Sequence, residues 1–378
     1  MSQKIPTTAI GFLSMIILMS LTIGGSAGQN PQWKGKIETV DGVKVVRNPN
    51  EPLFGDIKLD LEEDLKIGNP DDENYLFYRV RGIDIDNEGN IYVADMSNFR
   101  VQKFDKNGKY LLTFGRQGQG PGEFNQPTTV HIEEKSGNVY VLDQNHTIEI
   151  FARDGKAIRS IRSEKTISNF NVTQEGKIIA LIFTGSNMSL IHRLSEIGPD
   201  GKPTQLYIEV PYKPSALQKD GRTFPVSTGY EWDIQFDLMD RHSLFYGDSK
   251  EYVLTLIDLT GKSVSRISKD KPAPKFTAKE KARFKNIPLP DSKPYFYAIY
   301  TDDLCRIYVQ TNKTRAEEDV THKEVDVFSR DGYFLFRTTL PKYTYVIRNG
   351  YVYALEVKED EIVKRYKIKN WGTLKSGL

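Results

Sequence analysis

The sequence predicts an all-β fold built from repeated units of four strands. Aromatic residues make up 11% of the 378 residues, and aromatic side chains pack well on pleated sheets. Short alternating apolar runs are separated by polar turns that end in Gly, which is typical of antiparallel hairpins. The same order of strands and turns then recurs: Gly89 is repeated as Gly137 and Gly108 as Gly155, a spacing of about 48 residues.

The first two units are the clearest. Residues 82–95 and 100–115 each contain two strands joined by a polar turn, and residues 130–143 and 148–161 repeat this order. Later copies are degraded but keep their turns, and the six units start near residues 77, 126, 165, 229, 293 and 342. Four-stranded units at this spacing predict a six-bladed β-propeller of four-stranded antiparallel blades. Five or seven blades remain alternatives.

The ends of the chain predict how the ring closes. The last unit lacks a clear fourth strand, whereas residues 57–61 form a strand pattern without a partner. Because a ring is best closed when one terminus supplies the missing strand, this N-terminal strand is expected to complete the sixth blade. The predicted propeller therefore spans residues 57–370, with an N-terminal hairpin or cap at 28–56 and a C-terminal tail at 371–378.

One segment lies outside the blade pattern. Residues 268–292 are rich in Lys and Pro and are predicted to be an insertion between blades 4 and 5. Within them, Thr277 and Glu280 have the spacing of a capping box, which predicts a short helix that runs to about Lys285.

The N-terminus reads as an export signal. Lys4 precedes an apolar run over residues 9–23, and the small residues Gly25 and Ala27 follow. This pattern predicts a signal peptide, residues 1–27, cleaved after Ala27, and a periplasmic or extracellular protein with no stable membrane insertion after cleavage. An uncleaved single-pass anchor is the alternative.

Charge and cysteine content exclude several functions. Lys and Arg total 52 against 50 Asp and Glu, without a segregated basic segment, so nucleic-acid binding is not expected. The one cysteine, Cys305, lies in a predicted strand, and it can form neither an internal disulfide nor a cysteine-based zinc site.

The blades resemble NHL repeats. The resemblance rests on residues 82–86, 89–95 and 98–104, and above all on the connector between the first two blades, residues 115–127. The chain as a whole is similar to secreted bacterial six-bladed propellers, most of them without an assigned function. The resemblance implies the fold, and it allows enzymes, sensors and docking platforms alike.

Four polar residues form a candidate metal site at the channel axis. Counted back from the inner hairpin glycine, Asp84 and Asn171 lie five residues away and His131 lies six, so the three are aligned, while Asp233 lies in the corresponding strand of the fourth blade. Such a ring is expected to hold one divalent cation, calcium or zinc, in the central channel. Polar packing between blades is the alternative interpretation. Amidating lyases with NHL-like propellers hold an axial zinc through several histidines, and here only His131 is so placed.

A second candidate site lies where the inner strands begin. Arg79 and Arg81 precede or enter the first inner strand, and Glu231 and Trp232 enter the fourth, so these four are predicted to bind ligand at the channel mouth. The predicted function is an exported binding scaffold for a peptide, glycan or protein ligand at a propeller face. The alternative is an axial-metal-dependent lyase or lactonase-like hydrolase.

Overall fold

A computed structural model describes residues 32–144, 146–186, 189–212, 214–219, 222–311 and 322–376. Residues 33–378 group into one compact unit. The predicted signal peptide, residues 1–27, lies outside the described residues. Among the described helices, none has the length and apolar character that crossing a membrane requires.

The strands at the N-terminus and in the first three blades follow the predicted order. The N-terminal strands are β1 (Lys36–Val40), β2 (Val43–Asn48) and β3 (Leu61–Ile67). Blade 1 contains β4 (Val80–Ile85), β5 (Ile91–Asp95), β6 (Arg100–Phe104) and β7 (Tyr110–Phe114), with a 3₁₀ turn at Met96–Asn98. Blade 2 contains β8 (Pro127–Ile132), β9 (Val139–Asp143), β10 (Thr147–Phe151) and β11 (Ala157–Arg162). Blade 3 contains β12 (Thr166–Val172), β13 (Ile178–Ser186), β14 (Ser189–Ile197) and β15 (Pro203–Tyr212).

An additional hairpin, β16 (Ser215–Lys219) and β17 (Arg222–Val226), then precedes the last three blades. Blade 4 contains β18 (Ile234–Asp240), β19 (Ser243–Asp248), β20 (Val253–Asp258) and β21 (Ser263–Lys269). Blade 5 contains β22 (Phe296–Thr301), β23 (Ile307–Thr311), β24 (His322–Phe328) and β25 (Phe334–Pro341). Blade 6 contains β26 (Thr344–Arg348), β27 (Tyr351–Val357) and β28 (Glu361–Ile368). The prediction of an all-β, six-bladed propeller is confirmed.

The hairpin turns show why these residues form these strands. In blade 1 the Asp86 carboxylate accepts hydrogen bonds from the backbone N–H groups of Glu88 and Asn90, both at 2.9 Å. Gly89 follows with φ of +84°, a conformation that costs glycine little. Asp105 and Gly108 repeat this turn between β6 and β7. Each turn reverses the chain tightly, and neighbouring strands therefore pair in register.

The ring is closed by the N-terminal strand β3, which pairs antiparallel with β28 and completes blade 6. The structure places this strand at Leu61–Ile67, a few residues later than the predicted 57–61. The preceding segment is used differently, since the Leu53 and Ile57 N–H groups donate to carbonyls of β25 at 2.9 and 2.8 Å. The apolar residues there anchor the chain to blade 5 before the strand begins.

The N-terminal hairpin β1–β2 extends a blade edge. Strand β2 runs parallel to β21, so blade 4 becomes a six-stranded sheet. The buried side chain of Asn48 ties this edge to blade 5, because its amide donates to the Gly332 carbonyl and its oxygen accepts from Phe334 N–H, both at 2.8 Å.

The insertion between blades 4 and 5 carries the expected helix, α1 (Ala278–Arg283). Both hydrogen bonds of the capping box between Thr277 and Glu280 are present. The C-terminal residues, predicted as a tail, include the helix α2 (Trp371–Ser376), in which Leu374 is buried against blades 5 and 6.

Glu280 is the anchor of the insertion and predicts a pH effect. Burial alone would raise the pKa of Glu280, but hydrogen bonds from Thr277 and Tyr230 and the nearby Lys293 ammonium lower that pKa to about 2. A carboxylate whose pKa is lowered in the folded state stabilises the fold at pH values above its ordinary pKa of 4.5. This contribution is lost as the pH falls towards 2. We expect Glu280→Gln to lose about 2–3 kcal/mol of stability at pH 7. Urea unfolding at pH 7, 4 and 3 should show the gap between the two proteins narrowing with acid, and a gap independent of pH would contradict this assignment.

Candidate functional site

The six innermost strands run in the same direction along the channel. The contacts between blades 1 and 2 show this common direction. A Cβ added to Gly82 would touch the backbone of residues 128–130, and two residues later in β4 the Asp84 carboxylate accepts a hydrogen bond from Ile132 N–H. We call the end where the innermost strands begin the start face, and the end where they reach their inner hairpin turns the turn face.

The channel widens at the turn face into a cavity of about 430 Å³, here called the turn-face cavity. Each of the six blades contributes a polar side chain to its lining. In blade order these are Asp84, His131, Asn171, Asp237, Tyr300 and Arg348. The volume lies within the range of small-ligand sites.

Asp84 joins blades 1 and 2. Its Oδ2 accepts from Ile132 N–H at 2.8 Å and lies 3.5 Å from His131 Nδ1, while Oδ1 accepts from Ile85 N–H at 2.8 Å. Burial alone would raise the pKa of Asp84, but His131, Arg348 and the Ile132 N–H outweigh it and lower that pKa. Asp84 is therefore ionised at neutral pH.

Asp237 joins blades 3, 4 and 5. Its Oδ1 accepts from the Asn171 amide at 3.1 Å, and its Oδ2 accepts from the backbone N–H and hydroxyl of Thr301 at 2.7 and 3.0 Å. Burial raises the pKa of Asp237, and the Thr301 hydrogen bonds only partly oppose this effect. The two channel carboxyls thus have pKa values shifted in opposite directions.

Three of the four predicted metal ligands, Asp84, His131 and Asn171, line the turn-face cavity. Asp233 does not join them. Asp237 occupies the place for which Asp233 was predicted, because Asp233 precedes β18 at the end away from the inner turn, whereas Asp237 lies near the end of β18 that leads into this turn. Within the described ranges, no three His, Cys, Asp or Glu side chains are grouped so that they could hold a metal ion. The oxygens of Asp84 and Asp237 already accept protein donors, so these residues do not fit a divalent cation.

The rim of the turn-face cavity carries charges of both signs. Arg348 donates to the Ile85 carbonyl at 3.1 Å and lies 3.3 Å from the Glu134 carboxylate. Arg241 and Asp303 are exposed beside them at the inner turns of blades 4 and 5. Sequence reasoning missed Arg241 and Arg348, although both stand next to recognisable inner turns.

The four predicted mouth residues lie at the start face, away from the turn-face cavity. Arg79 and Arg81 are exposed, and Arg79 has φ of +60°. Glu231 accepts hydrogen bonds from the N–H groups of Thr228 and Gly229 at 2.6 and 2.9 Å, which stabilise the loop before β18. Trp232 stacks under the Lys250 ammonium, 5.1 Å from the ring centre.

Asp233 follows directly in this loop. Its Oδ1 lies 2.7 Å from His192 Nδ1, and its backbone N–H donates to the Ser249 hydroxyl at 2.8 Å. The start face therefore has a second polar cluster, built by blades 3 and 4. The sequence pattern assigns Asp233 to the metal site and Glu231 and Trp232 to the channel mouth, whereas the structure brings them into one loop.

Comparison with known proteins agrees with this architecture. Residues 71–193 match the family DUF5128, described as a 6-bladed beta-propeller. A stretch of 128 residues is 26% identical to the brain tumor protein of Drosophila melanogaster, and covers 31% of this chain and 12% of that protein. A stretch of 101 residues is 36% identical to peptidylglycine alpha-amidating monooxygenase of Rattus norvegicus, and covers 25% of this chain and 10% of that protein.

The chain thus spans about a tenth of the length of these two relatives. A crystal structure of a Bacteroides fragilis protein described as exported superimposes with a TM-score of 0.57 at 12% identity, covering 86% of this chain and 99% of that one. At that identity the likeness concerns the fold alone. The ring of six four-stranded blades and these matches together identify the chain as a six-bladed β-propeller, with blades that resemble NHL repeats.

Proposed function

We propose that this propeller is an exported scaffold that binds a peptide ligand in the turn-face cavity. The observation that carries the proposal is the contribution of one polar side chain by every blade to a single cavity of about 430 Å³. A site assembled from six rigid strands is preorganised, which lowers the entropy lost on binding. Export rests on the sequence pattern of residues 1–27.

The charges at the rim favour a peptide over the glycan and whole-protein ligands that the fold also permits. Arg241 and Arg348 suit a carboxylate, whereas Glu134 and Asp303 suit an ammonium group. A short free peptide carries both groups, together with amides that can pair with the polar cavity wall. A neutral sugar chain offers no charged group to Arg241 or Asp303, so it would lack the charge-assisted hydrogen bonds that a free peptide can form there.

The proposal predicts that reversing one rim charge weakens peptide binding. Arg241→Glu is expected to weaken peptide binding by at least about tenfold, the effect of a lost charge-assisted contact. The measurement is affinity selection of a pooled library of free tetrapeptides by protein starting at residue 28, with retained peptides identified by mass spectrometry. The library should include peptides ending in glycine, since the matched rat protein is named for amidating them.

Arg159→Glu is the matched control, because Arg159 is exposed on the outer strand β11, away from the channel. Calorimetric titration of the best retained peptide should give equal affinities for the control and the unchanged protein. Equal affinity for Arg241→Glu as well would show that the peptide binds elsewhere.

The second candidate function is the lyase or lactonase-like hydrolase. It is favoured by the Asp84 carboxylate and the His131 imidazole, which lie 3.5 Å apart in the turn-face cavity, and by the short match to an amidating protein. The same selection experiment distinguishes the two functions. Recovery of library peptides in converted form would favour the enzyme over the scaffold.

A further inference from the structure

A second pocket, with a volume of about 300 Å³, opens at the start face between blades 3 and 4. We call it the start-face pocket. Its lining is both aromatic and acidic, and includes Phe183, His192, Tyr212, Glu231, Asp233 and Tyr297. It lies at the opposite end of the inner strands from the turn-face cavity, so its role can be tested independently of the proposed function.

One wall of the start-face pocket is a stack of three rings. His192 lies between Phe183 and Tyr212, with ring centres 4.0 and 4.2 Å away and planes tilted by 13° and 19°. His192 is only 3% exposed, and its Nδ1 is held by Asp233 at 2.7 Å. Its Nε2 is buried and has no hydrogen-bond partner among the described residues. The outer rings, Phe183 and Tyr212, are half-buried and face the pocket.

The start-face pocket is negatively charged. Burial would raise the pKa of Glu231, but hydrogen bonds from Thr228 and Ser227 outweigh it and lower that pKa, so Glu231 is ionised at neutral pH. The side chain of Asp233 is 35% exposed and supplies a second carboxylate. Among the described residues that line the pocket, none is a lysine or an arginine. The lining therefore carries negative charge whether or not His192 is protonated.

The insertion between blades 4 and 5 braces the loop that carries these carboxylates. The buried Tyr230, next to Glu231, donates its hydroxyl to the Glu280 carboxylate of α1 at 3.0 Å. Phe276 and Phe284 of the insertion pack edge-on against the Tyr230 ring at 5.1 and 5.9 Å. The fully buried Lys293 lies 3.3 Å from both Glu280 oxygens. The pocket wall is thus held in place by a dedicated element rather than by a free loop.

We propose that the start-face pocket binds an organic ammonium group. Aromatic ring faces attract cations, and carboxylates at the edge of the rings supply the balancing charge. An anionic ligand would be repelled by Glu231 and Asp233, and a neutral ligand would lack the charge attraction to them. The shared chemistry is the substituted ammonium ion, whether free as a small amine or carried on a lysine side chain.

The test compares a cation with its neutral isostere. Choline and 3,3-dimethylbutan-1-ol have nearly the same shape, and only choline is charged. Calorimetric titration into protein lacking only the predicted signal peptide is expected to show choline binding at least about tenfold more tightly than the alcohol. Titration with Nα-acetyl-lysine methylamide shows whether a peptidyl ammonium is preferred to the free one. Equal affinity for choline and the alcohol would overturn the proposal.

Gln235 allows the charge of the pocket to be changed without touching the stack. Gln235 is one of the residues that line the pocket. Gln235→Lys is expected to weaken choline binding by at least about tenfold, and Gln235→Glu to strengthen it. The matched control Gln235→Leu should keep the affinity within about threefold. If Gln235→Lys fails to fold, the increase in choline affinity expected for Gln235→Glu still tests the proposal. Unchanged affinity in Gln235→Glu, or a neutral oligosaccharide that competes with choline, would contradict the proposal.

Discussion

Asp326→Asn is expected to lower the free energy of unfolding by about 3–5 kcal/mol, because it leaves a buried cation without its partner. Asp326 is fully buried and accepts hydrogen bonds from Lys269 Nζ at 2.6 Å and from the Tyr252 hydroxyl at 2.7 Å. The Lys269 side chain has no exposed surface, and its burial lowers the pKa of Lys269 to about 8 even with Asp326 present. Without the carboxylate, this ammonium must either lose its proton or remain uncompensated between blades 4 and 5.

Urea unfolding followed by far-ultraviolet circular dichroism measures this loss. Asp154→Asn is the control, since it breaks the exposed ion pair between Asp154 and Lys156 at 3.6 Å. Exposed pairs contribute about 0–1 kcal/mol, so this variant should unfold almost as the unchanged protein does. Equal, small losses in the two variants would show that the Lys269–Asp326 pair does not stabilise the junction of blades 4 and 5.

Removing strand β3 is expected to abolish cooperative folding. Strand β3 is the outer strand of blade 6, and Ile67 at its end is buried. A chain that starts at residue 70 exposes the edge of β28 and leaves the ring open, and an unpaired edge promotes aggregation. A chain that starts at residue 50 keeps β3 but loses the β1–β2 hairpin, so it should fold with reduced stability.

The decisive comparison adds the missing strand back as a separate peptide. Peptide 50–70 should restore a cooperative thermal transition to the chain that starts at residue 70, and a peptide with the same composition in scrambled order should not. A sharp thermal transition in the shortened chain without any peptide would contradict the role of β3 in closing the ring.

The repeated part of the fold could be predicted from the sequence because its signals are local. Alternating runs and Asp-to-Gly turns such as Asp86–Gly89 specify hairpins without reference to the rest of the chain. The sequence correctly predicts that an N-terminal strand completes blade 6, but it places this strand at residues 57–61 instead of Leu61–Ile67. The position of this strand depends on how residues 53–57 contact blade 5, and the residue pattern within that segment does not reveal this contact.

The candidate sites were only partly predictable, for a related reason. Asp84, His131 and Asn171 lie together on the channel because each stands one pair before the last strand pair of its inner hairpin. In blade 4 a bulge between Leu238 and Asp240 adds one residue before the turn, and the corresponding residue is Asp237. Asp233 precedes β18 and lies beside His192. Bulges and contacts between blades are set by packing of the whole ring, and a single strand pattern does not reveal them.

Photo-crosslinking of the bound peptide tests the central claim most directly. The best peptide from affinity selection would carry a diazirine side chain, and crosslinked positions would be mapped by mass spectrometry in the presence and absence of excess unlabelled peptide. The account predicts competed crosslinks at the turn-face cavity, on residues 131–134, 237–241 and 300–305. Competed crosslinks confined to the outer strands or to the start face would contradict it.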